Sequence, residues 1–325
     1  MTELTIREAI TLGLSEAIEA DENVFIMGED IGEYGGAYSI TKGFLEKYGA
    51  KRIKDTPISE AAFVGAGIGA ASAGLRPIVE LMSMSFSLVA FDQIVNMAAN
   101  LRYMSGGQIK VPMVIRAPTG AGVQLGATHS QSFETWLAEV PGMYCACPSN
   151  PKDALGLLRS SIKSDNPVVY AEHSHLYGSR GDVPEDYYEI PLGEARIDRE
   201  GDDLTLVSYG YGVHILRETA GILDESGVDA EIIDLRSLHP VDYDMVVASV
   251  QKTGRAVMLD TSRRTGGIMS EIVAEVQERA LDWLDGPVMR VGAKDVPWPY
   301  NRGLEQDILP DAEDVVEAAR KIIAF

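Results

Sequence analysis

Glu60 is the residue whose type and surroundings most directly suggest chemistry. It opens the segment EAAFVGAGIGAAS, in which most of the other residues are glycine, alanine or serine. One explanation is helix capping, since Ser59 suits an N-cap position and an acid in the first turn complements the helix dipole. The other is functional: small side chains let a flat molecule approach the backbone closely, and Glu60 touches that molecule.

The same run also fits a dinucleotide fingerprint. Gly65, Gly67 and Ala70 satisfy G-x-G-x-x-A, and Glu80 ends the strand predicted to follow. Against this, the preceding AAFV is short and helix-like, and Glu80 lies 15 residues after Gly65 (80 − 65) where roughly 20 is typical. A helix held in a tight helix–helix contact explains the small residues without a nucleotide. An NAD-dependent dehydrogenase is the rival function class.

His129 is a second candidate for chemistry. It lies in GATHSQS, a polar stretch between the glycine-rich TGAGVQLG and a predicted helix. An imidazole at such a junction titrates near neutrality and can act as an acid or base.

Strand-like and helix-like segments alternate along the chain and must position these residues. This order predicts an α/β fold with two open, mostly parallel sheets flanked by helices. The pattern predicts a first domain over 1–177, a linker rich in charge, glycine and proline over 178–203, and a second domain over 204–325. Within the first domain, TIREAITLGLSEAIEA predicts a helix capped by Thr5, Pro151 opens another, and FSLVAFDQIVNMAANLRYM predicts one long amphipathic helix.

The composition limits the kinds of molecule that the chain is expected to bind. The 325 residues carry 49 acidic and 28 basic side chains, a net charge of −21, which argues against nucleic acid or an anionic membrane. No signal peptide or membrane-spanning run is recognised in the sequence. Cys145 and Cys147 are predicted to be buried thiols. We expect a reduced, cytoplasmic compartment.

Several long motifs, in order along the whole chain, carry a family resemblance. They are MGEDIGEYGGAYSITKGFLEKYG, RIKDTPISEAAFVGAGIGAA, FDQIVNMAANLRYMSGG, HSQS, PSNPKDALGLLRSSIKSDNPVVYAEH and GYG…IDLRSLHPVD. Together they resemble the β subunit of the thiamine-diphosphate-dependent 2-oxoacid dehydrogenases, the decarboxylating components of the pyruvate, branched-chain and acetoin dehydrogenase complexes. The resemblance implies a transketolase-like fold with a pyrimidine-binding domain followed by a transketolase C-terminal-like domain.

The resemblance also implies residue roles. Glu60 matches the acid that hydrogen-bonds a nitrogen of the aminopyrimidine ring and favours its imino tautomer. Phe86 matches the aromatic side chain that stacks on that ring, and Ile58 and Met82 match positions that line its pocket. His129 matches the histidine that meets the substrate and assists acyl transfer to a lipoyl group.

Two departures from the family pattern bear on these roles. Thr128 stands where the family often has glutamine. No G-D-G motif for diphosphate and Mg²⁺ occurs in the chain. The resemblance therefore implies that an α subunit supplies that half of the site, in an α2β2 heterotetramer.

Two further sites follow from the resemblance. A potassium site built mainly from backbone carbonyls matches Met113, Ser161, Ile162, Ser164 and Asn166. Asp285 and the terminal Phe325 match positions that dock the lipoyl-bearing acyltransferase core.

The function expected on this basis is oxidative decarboxylation of pyruvate with reductive acylation of lipoamide. Met82 paired with Phe86 resembles the pyruvate and acetoin types, whereas branched-chain members tend to carry Gln and Tyr there. Pyruvate is the expected substrate, and acetoin or branched-chain 2-oxoacid dehydrogenase is the alternative. A non-catalytic scaffold, in which Asp285 and Phe325 matter for docking alone, is a third class.

Overall fold

Short, mostly apolar segments form the central strands, because a strand covered on both faces buries every side chain. The segments Val24–Gly28 and Leu204–Ser208 are buried along their whole length. The computed structural model describes residues 1–324, grouped into two units. Unit 1 comprises Met1–Thr119 and Ser132–Leu192, and unit 2 comprises Gly120–Gln131 and the chain from Gly193 onward.

Unit 1 is built on a parallel sheet. The strands of unit 1 are β1 (Thr2–Thr5), β2 (Val24–Gly28), β3 (Ile53–Asp55), β4 (Arg76–Glu80), β5 (Val114–Thr119), β6 (Tyr144–Ala146), β7 (Val168–His173) and β8 (Arg180–Val183). Strands β6, β7, β5, β4, β2 and β3 pair in that order, all parallel, and β1 pairs antiparallel with β8. Gly28 lies opposite both Asp55 and Glu80 in register, so the carboxyl ends of β2, β3 and β4 meet at one edge.

Two of the six α-helices of unit 1, the first and the last, begin at residues whose side chains cap them. The six are α1 (Ile6–Ala20), α2 (Phe44–Tyr48), α3 (Glu60–Ser72), α4 (Leu101–Met104), α5 (Glu134–Ala138) and α6 (Pro151–Lys163). The predicted Thr5 cap of α1 is confirmed, since the Thr5 hydroxyl accepts the Glu8 N–H and the Glu8 carboxylate accepts the Thr5 N–H. Pro151 opens α6 as predicted, behind an Asn150 cap.

The prediction of one long helix from residue 86 to 104 is wrong. A 3₁₀ turn at Met84–Leu88 and a π-helical turn at Gln93–Ala98 precede the short α4. The Asn100 side chain donates to the Val95 carbonyl at 2.8 Å, which satisfies a carbonyl left over by the wide turn. Apolar periodicity alone does not distinguish these helix types, and π turns are frequent at functional sites.

Unit 2 contains a second sheet. The strands of unit 2 are β9 (Arg196–Arg199), β10 (Leu204–Ser208), β11 (Ala230–Asp234), β12 (Ser237–His239), β13 (Ala256–Arg263) and β14 (Met289–Ala293). Five of them pair in the order β14, β13, β10, β11, β9, and only β9 runs antiparallel to its neighbour within the described chain.

Helices cover the second sheet. They are α7 (Tyr211–Asp224), α8 (Tyr243–Thr253), α9 (Met269–Ala280), α10 (Arg302–Gln306) and α11 (Ala312–Ile323). α7 and α11 pack together on β10 and β13 around a core that includes Leu206, Leu216 and Val316. The prediction of two open, mostly parallel sheets flanked by helices is confirmed.

The predicted linker over 178–203 is wrong in part, because this stretch contains β8 and β9. Both strands carry mostly exposed or half-buried polar residues, which is typical of peripheral strands and removes the apolar signal of a strand. The change from unit 1 to unit 2 falls between Leu192 and Gly193.

Two smaller predictions concern side chains and helices. Cys145 and Cys147 are buried thiols, as predicted, and neither forms a disulfide. Across residues 1–324, no helix combines the length and the apolar character that crossing a membrane requires.

Candidate active site

Two carboxylates meet at the carboxyl edge of the unit 1 sheet. Glu29 follows directly after β2, and Glu60 begins α3 after the short connection from β3. Because β2 and β3 are parallel neighbours, both side chains come from adjacent strand ends. The carboxyl ends of parallel strands are where open α/β sheets bind ligands.

Glu60 is only 5% exposed. Ser59 holds the N-cap position of α3 and Glu60 its first turn, as the capping explanation predicts. The Ser59 side chain makes no capping bond, because its hydroxyl donates to the Pro57 carbonyl at 3.1 Å. The Glu60 charge acts on the neighbouring Glu29 carboxyl.

Glu29 is the site residue that sequence reasoning missed. It is 4% exposed, and its Oε1 has no hydrogen-bond partner among the described residues. Burial and then the nearby Glu60 charge raise the pKa of Glu29 to about 7, although the Ser59 N–H bonded to it acts in the opposite direction. Glu29 therefore keeps its proton up to near neutrality and stands beside Glu60 as a neutral acid. Its one sequence signal is an acid directly after the buried strand VFIMG.

The other residues predicted to line the pyrimidine pocket lie on connections that follow strands at the same sheet edge. Met82 and Phe86 follow β4 and are half-buried, and the Phe86 N–H donates to the Ser83 carbonyl at 3.0 Å. Ile58 is 83% exposed in the chain by itself. The strand register thus brings the connections carrying Glu60, Met82 and Phe86 to one edge, with Ile58 facing outward.

Glycine lets the elements behind these residues approach closely. A Cβ on Gly67 would lie 2.8 Å from Val79 Cγ2, where α3 packs on β4, and a Cβ on Gly28 would lie 2.5 Å from the Glu80 carbonyl oxygen. Gly65 and Gly67 sit inside α3 rather than at a strand-to-helix turn. The dinucleotide interpretation is therefore wrong, since that fingerprint needs its glycines at the turn.

A buried ion cluster braces the same sheet edge. The Arg116 guanidinium donates to Glu172 at 2.7 and 2.6 Å and to Glu80, so it ties β5 to β7 and β4. Burial raises the pKa of Glu80, which reduces the cost of placing two acids against one arginine. This cluster holds the strand end from which Met82 and Phe86 continue.

His129 belongs to unit 2, within Gly120–Gln131. This segment packs with unit 2, where Ala121 is buried in a cluster with Ala293 and Trp298, although it lies within the predicted first domain over 1–177. The His129 ring is exposed, and its Nδ1 lies 2.8 Å from the Thr128 hydroxyl. Thr128, the departure from the family pattern, therefore touches the imidazole directly.

The five positions matched to a potassium site lie near the end of α6 and on the connection before β5. Two of their carbonyls, those of Ile162 and Ser164, accept hydrogen bonds from Arg76 Nη1 at 3.0 and 3.2 Å. The Met113 carbonyl accepts the Val168 N–H at 3.0 Å.

The other two carbonyls are also engaged. Ser161 accepts the Ser164 N–H at 3.3 Å, and Asn166 accepts the Ser164 hydroxyl at 2.9 Å. A carbonyl has two lone pairs, so these hydrogen bonds do not by themselves prevent the carbonyls from binding a cation. In residues 1–324, no cluster of three or more His, Cys, Asp or Glu side chains is placed to hold a metal.

One of the two docking positions can be described. The half-exposed Asp285 carboxylate pairs with Arg255 at 2.9 Å, and the Asp285 N–H donates to the Gly254 carbonyl at 2.9 Å. The prediction for Phe325 lies outside the described residues.

Two protein-family models and several known proteins match this chain. Residues 2–179 match the model "Transketolase, pyrimidine binding domain", and residues 193–315 match "Transketolase, C-terminal domain". The pyruvate dehydrogenase E1 component β subunit of Rhizobium meliloti (strain 1021) is 44% identical over 99% of this chain and 70% of that protein. The mitochondrial protein of the same name from Caenorhabditis elegans is 47% identical, over 98% of this chain and 92% of its own.

The chain belongs to the family of pyruvate dehydrogenase E1 β subunits. A third member, from Rickettsia felis (strain ATCC VR-1525 / URRWXCal2), is 43% identical over 99% of both chains. A solved structure described as "Split gene transketolase, inactive beta4 tetramer" has a TM-score of 0.79 at 24% identity, covering 99% of this chain and 98% of its own. The predicted family and transketolase-like fold are confirmed.

Proposed function

We propose that the chain is the β half of an E1 component that decarboxylates pyruvate and transfers the acyl group to a lipoyl group of an acyltransferase core. The observation that carries this proposal is the buried Glu60 at the head of α3, beside the unbonded Oε1 of Glu29, inside the region that matches a pyrimidine-binding domain.

The residues at the sheet edge suit the aminopyrimidine of thiamine diphosphate. Glu60 would share a proton with a ring nitrogen, and the neutral Glu29 beside it would keep a second negative charge away from that contact. Phe86 would stack on the ring, with Met82 and Ile58 at its border. When bound, the cofactor supplies a carbon nucleophile that attacks the 2-oxo carbon and then accepts the electron pair released with carbon dioxide.

The other half of the cofactor needs a second chain. Since the sequence contains no G-D-G motif, we assign the diphosphate and Mg²⁺ to an α subunit in an α2β2 heterotetramer. The outward-facing Ile58, which is 83% exposed, supports a partner chain at this edge, because an isolated apolar side chain gains by burial in an interface.

His129 would serve the second half of the reaction. Its exposed imidazole can exchange a proton with the substrate oxygen or a lipoyl sulfur as the acyl group moves. The Thr128 hydroxyl at Nδ1 would fix which ring nitrogen faces that chemistry.

Pyruvate is the substrate carried in the names of the relatives, and the pair Met82 and Phe86 resembles the pyruvate and acetoin types more than the branched-chain type. Acetoin and branched-chain 2-oxoacids are the alternatives, because differences of one or two methylene groups are worth only about 1–3 kcal/mol in a pocket. Potassium at the α6 carbonyls, docking of the core through Asp285 and Phe325, and a cytoplasmic location remain predictions.

The test is reconstitution with a G-D-G-containing α subunit. We expect carbon dioxide release from pyruvate only when both chains and thiamine diphosphate with Mg²⁺ are present, and faster than from a branched-chain 2-oxoacid. Acetoin has no carboxylate to lose, so it is compared with pyruvate by the rate of acyl transfer to lipoamide. A faster reaction with a branched-chain 2-oxoacid or with acetoin would show that this compound, and not pyruvate, is the preferred substrate. Activity of the β chain by itself would contradict the half-site.

A further inference from the structure

The segment Gly120–Gln131, which carries His129, contains no helix or strand. Its backbone turns through left-handed conformations, including Gly122 at φ +105° and the non-glycine Gln124 at φ +59°. Such a path is not maintained by a regular hydrogen-bond ladder, and a left-handed non-glycine residue persists only where its surroundings impose it. Something outside the segment must therefore define its shape.

Glu305 of α10 holds the segment in this shape by accepting two of its backbone N–H groups. Glu305 is only 1% exposed. Its two carboxylate oxygens accept the N–H groups of Gly122 and Gln124, each at 3.0 Å. Hydrogen bonds to an ionised acceptor are stronger than neutral ones. A buried carboxylate is also costly without donors, so the carboxylate and the two N–H groups fix each other.

The other end of the segment has its own attachment. Arg263 Nη1 donates to Gln131 Oε1 at 3.0 Å. His129 lies between the two attachment points, so its backbone position depends on both.

We propose that Glu305 is a positioning residue for His129, acting through the backbone of Gly122 and Gln124. This rests on the proposed role of His129 in acyl transfer. Loss of the Glu305 bonds leaves the imidazole chemically intact but displaced. A misplacement of about 1 Å in a reacting group costs on the order of 100-fold in rate.

The test variant is Glu305→Gln, which keeps the shape and leaves one good acceptor oxygen. In the heterotetramer with thiamine diphosphate, we expect acyl transfer to a free lipoyl domain to slow by about 10-fold or more, within the range that such misplacement allows. Decarboxylation read with an artificial electron acceptor should change less than about threefold. The control Glu231→Gln neutralises an equally buried carboxylate of unit 2, paired with Lys252, and should leave the ratio of the two rates unchanged.

Two further readouts separate positioning from general stability. Amide hydrogen exchange at Gly122 and Gln124 should accelerate in Glu305→Gln and not in Glu231→Gln. In a His129→Ala background, Glu305→Gln should slow transfer further by less than about twofold, because the group it positions is already gone.

The outcomes are distinct. Equal loss of both partial reactions, unchanged amide exchange, or a full additional loss in the His129→Ala background would overturn the positioning role. Normal transfer by His129→Ala would instead overturn the proposed role of His129, and with it this inference, even if exchange in the segment accelerates. If His129→Ala leaves no measurable transfer, the ratio of partial reactions and the amide exchange decide.

Discussion

Glu60 and His129 are positioned by different means. Glu60 comes from a parallel sheet edge, where the register of β2, β3 and β4 places it beside Glu29 and next to the connections that carry Met82 and Phe86. His129 lies on an irregular segment whose shape depends on side-chain bonds from residues far along the chain, above all Glu305. Glu60 leaves a regular sheet edge that the Arg116 ion cluster also braces, whereas the irregular backbone around His129 depends on bonds that single substitutions remove.

The largest expected effect is on the sheet-edge acid itself. Glu60→Gln keeps the size of the side chain and removes its charge, so turnover of the assembled enzyme should fall by more than about 100-fold, within the range of acid–base catalysis. The control Glu46→Gln changes an exposed acid on α2 and should retain normal turnover. Near-normal turnover of Glu60→Gln would remove the basis for assigning the site to this edge.

The packing of α3 gives the next largest effect. Gly67→Ala places a Cβ 2.8 Å from Val79 Cγ2, and overpacking of this kind typically costs about 1–3 kcal/mol in the free energy of unfolding. The matched control is Gly69→Ala in the same helix, where a Cβ meets nothing within 4 Å, and it should stabilise by up to about 1 kcal/mol. Chemical denaturation measures both. Equal effects at the two positions would contradict close packing of α3 as the reason for its small residues.

Glu29 gives a pH signature. Its pKa is raised from 4.5 to about 7, so between these values the folded protein holds a proton that the unfolded chain has released. The Glu29 contribution is therefore most favourable below pH 4.5, and the free energy of unfolding falls as the pH rises to about 7. Glu29→Gln removes this dependence.

Thermal unfolding of Glu29→Gln and of the unmodified chain, compared from pH 4.5 to 8, measures the effect. The difference in midpoint should change across the window and level off above it. Parallel curves throughout would mean that Glu29 is not the neutral neighbour of Glu60.

The smallest effect concerns the other region. Thr128→Val removes the hydroxyl at 2.8 Å from His129 Nδ1, and a net hydrogen bond of about 0.5–1.5 kcal/mol corresponds to roughly a 2- to 10-fold loss of acyl transfer. Thr128→Ser retains the hydroxyl and should recover most of the rate. If both variants behave alike, the hydroxyl has no part in orienting the ring.

The sequence predicted the regular region better than the irregular one. The Thr5 cap and the Pro151 helix start depend on neighbouring residues, and the long family motifs locate Glu60 as a site candidate. Glu29 was missed because its pairing with Glu60 requires the strand register, which joins residues far apart in the chain. The unit to which residues 120–131 belong depends on packing against Trp298, for which no local signal exists. The π turn near Gln93 and the strands at 180–183 and 196–199 were missed because their apolar patterns resemble a plain helix and a linker.

The central claim is that the Glu60 carboxylate activates a thiamine cofactor through its pyrimidine ring. The most direct measurement is the rate at which the thiazolium C2 proton of thiamine diphosphate exchanges with solvent deuterium, followed by NMR in the assembled heterotetramer. We predict that Glu60→Gln slows this exchange by at least about 100-fold with the cofactor still bound. An exchange rate equal to that of the unmodified enzyme would contradict the account.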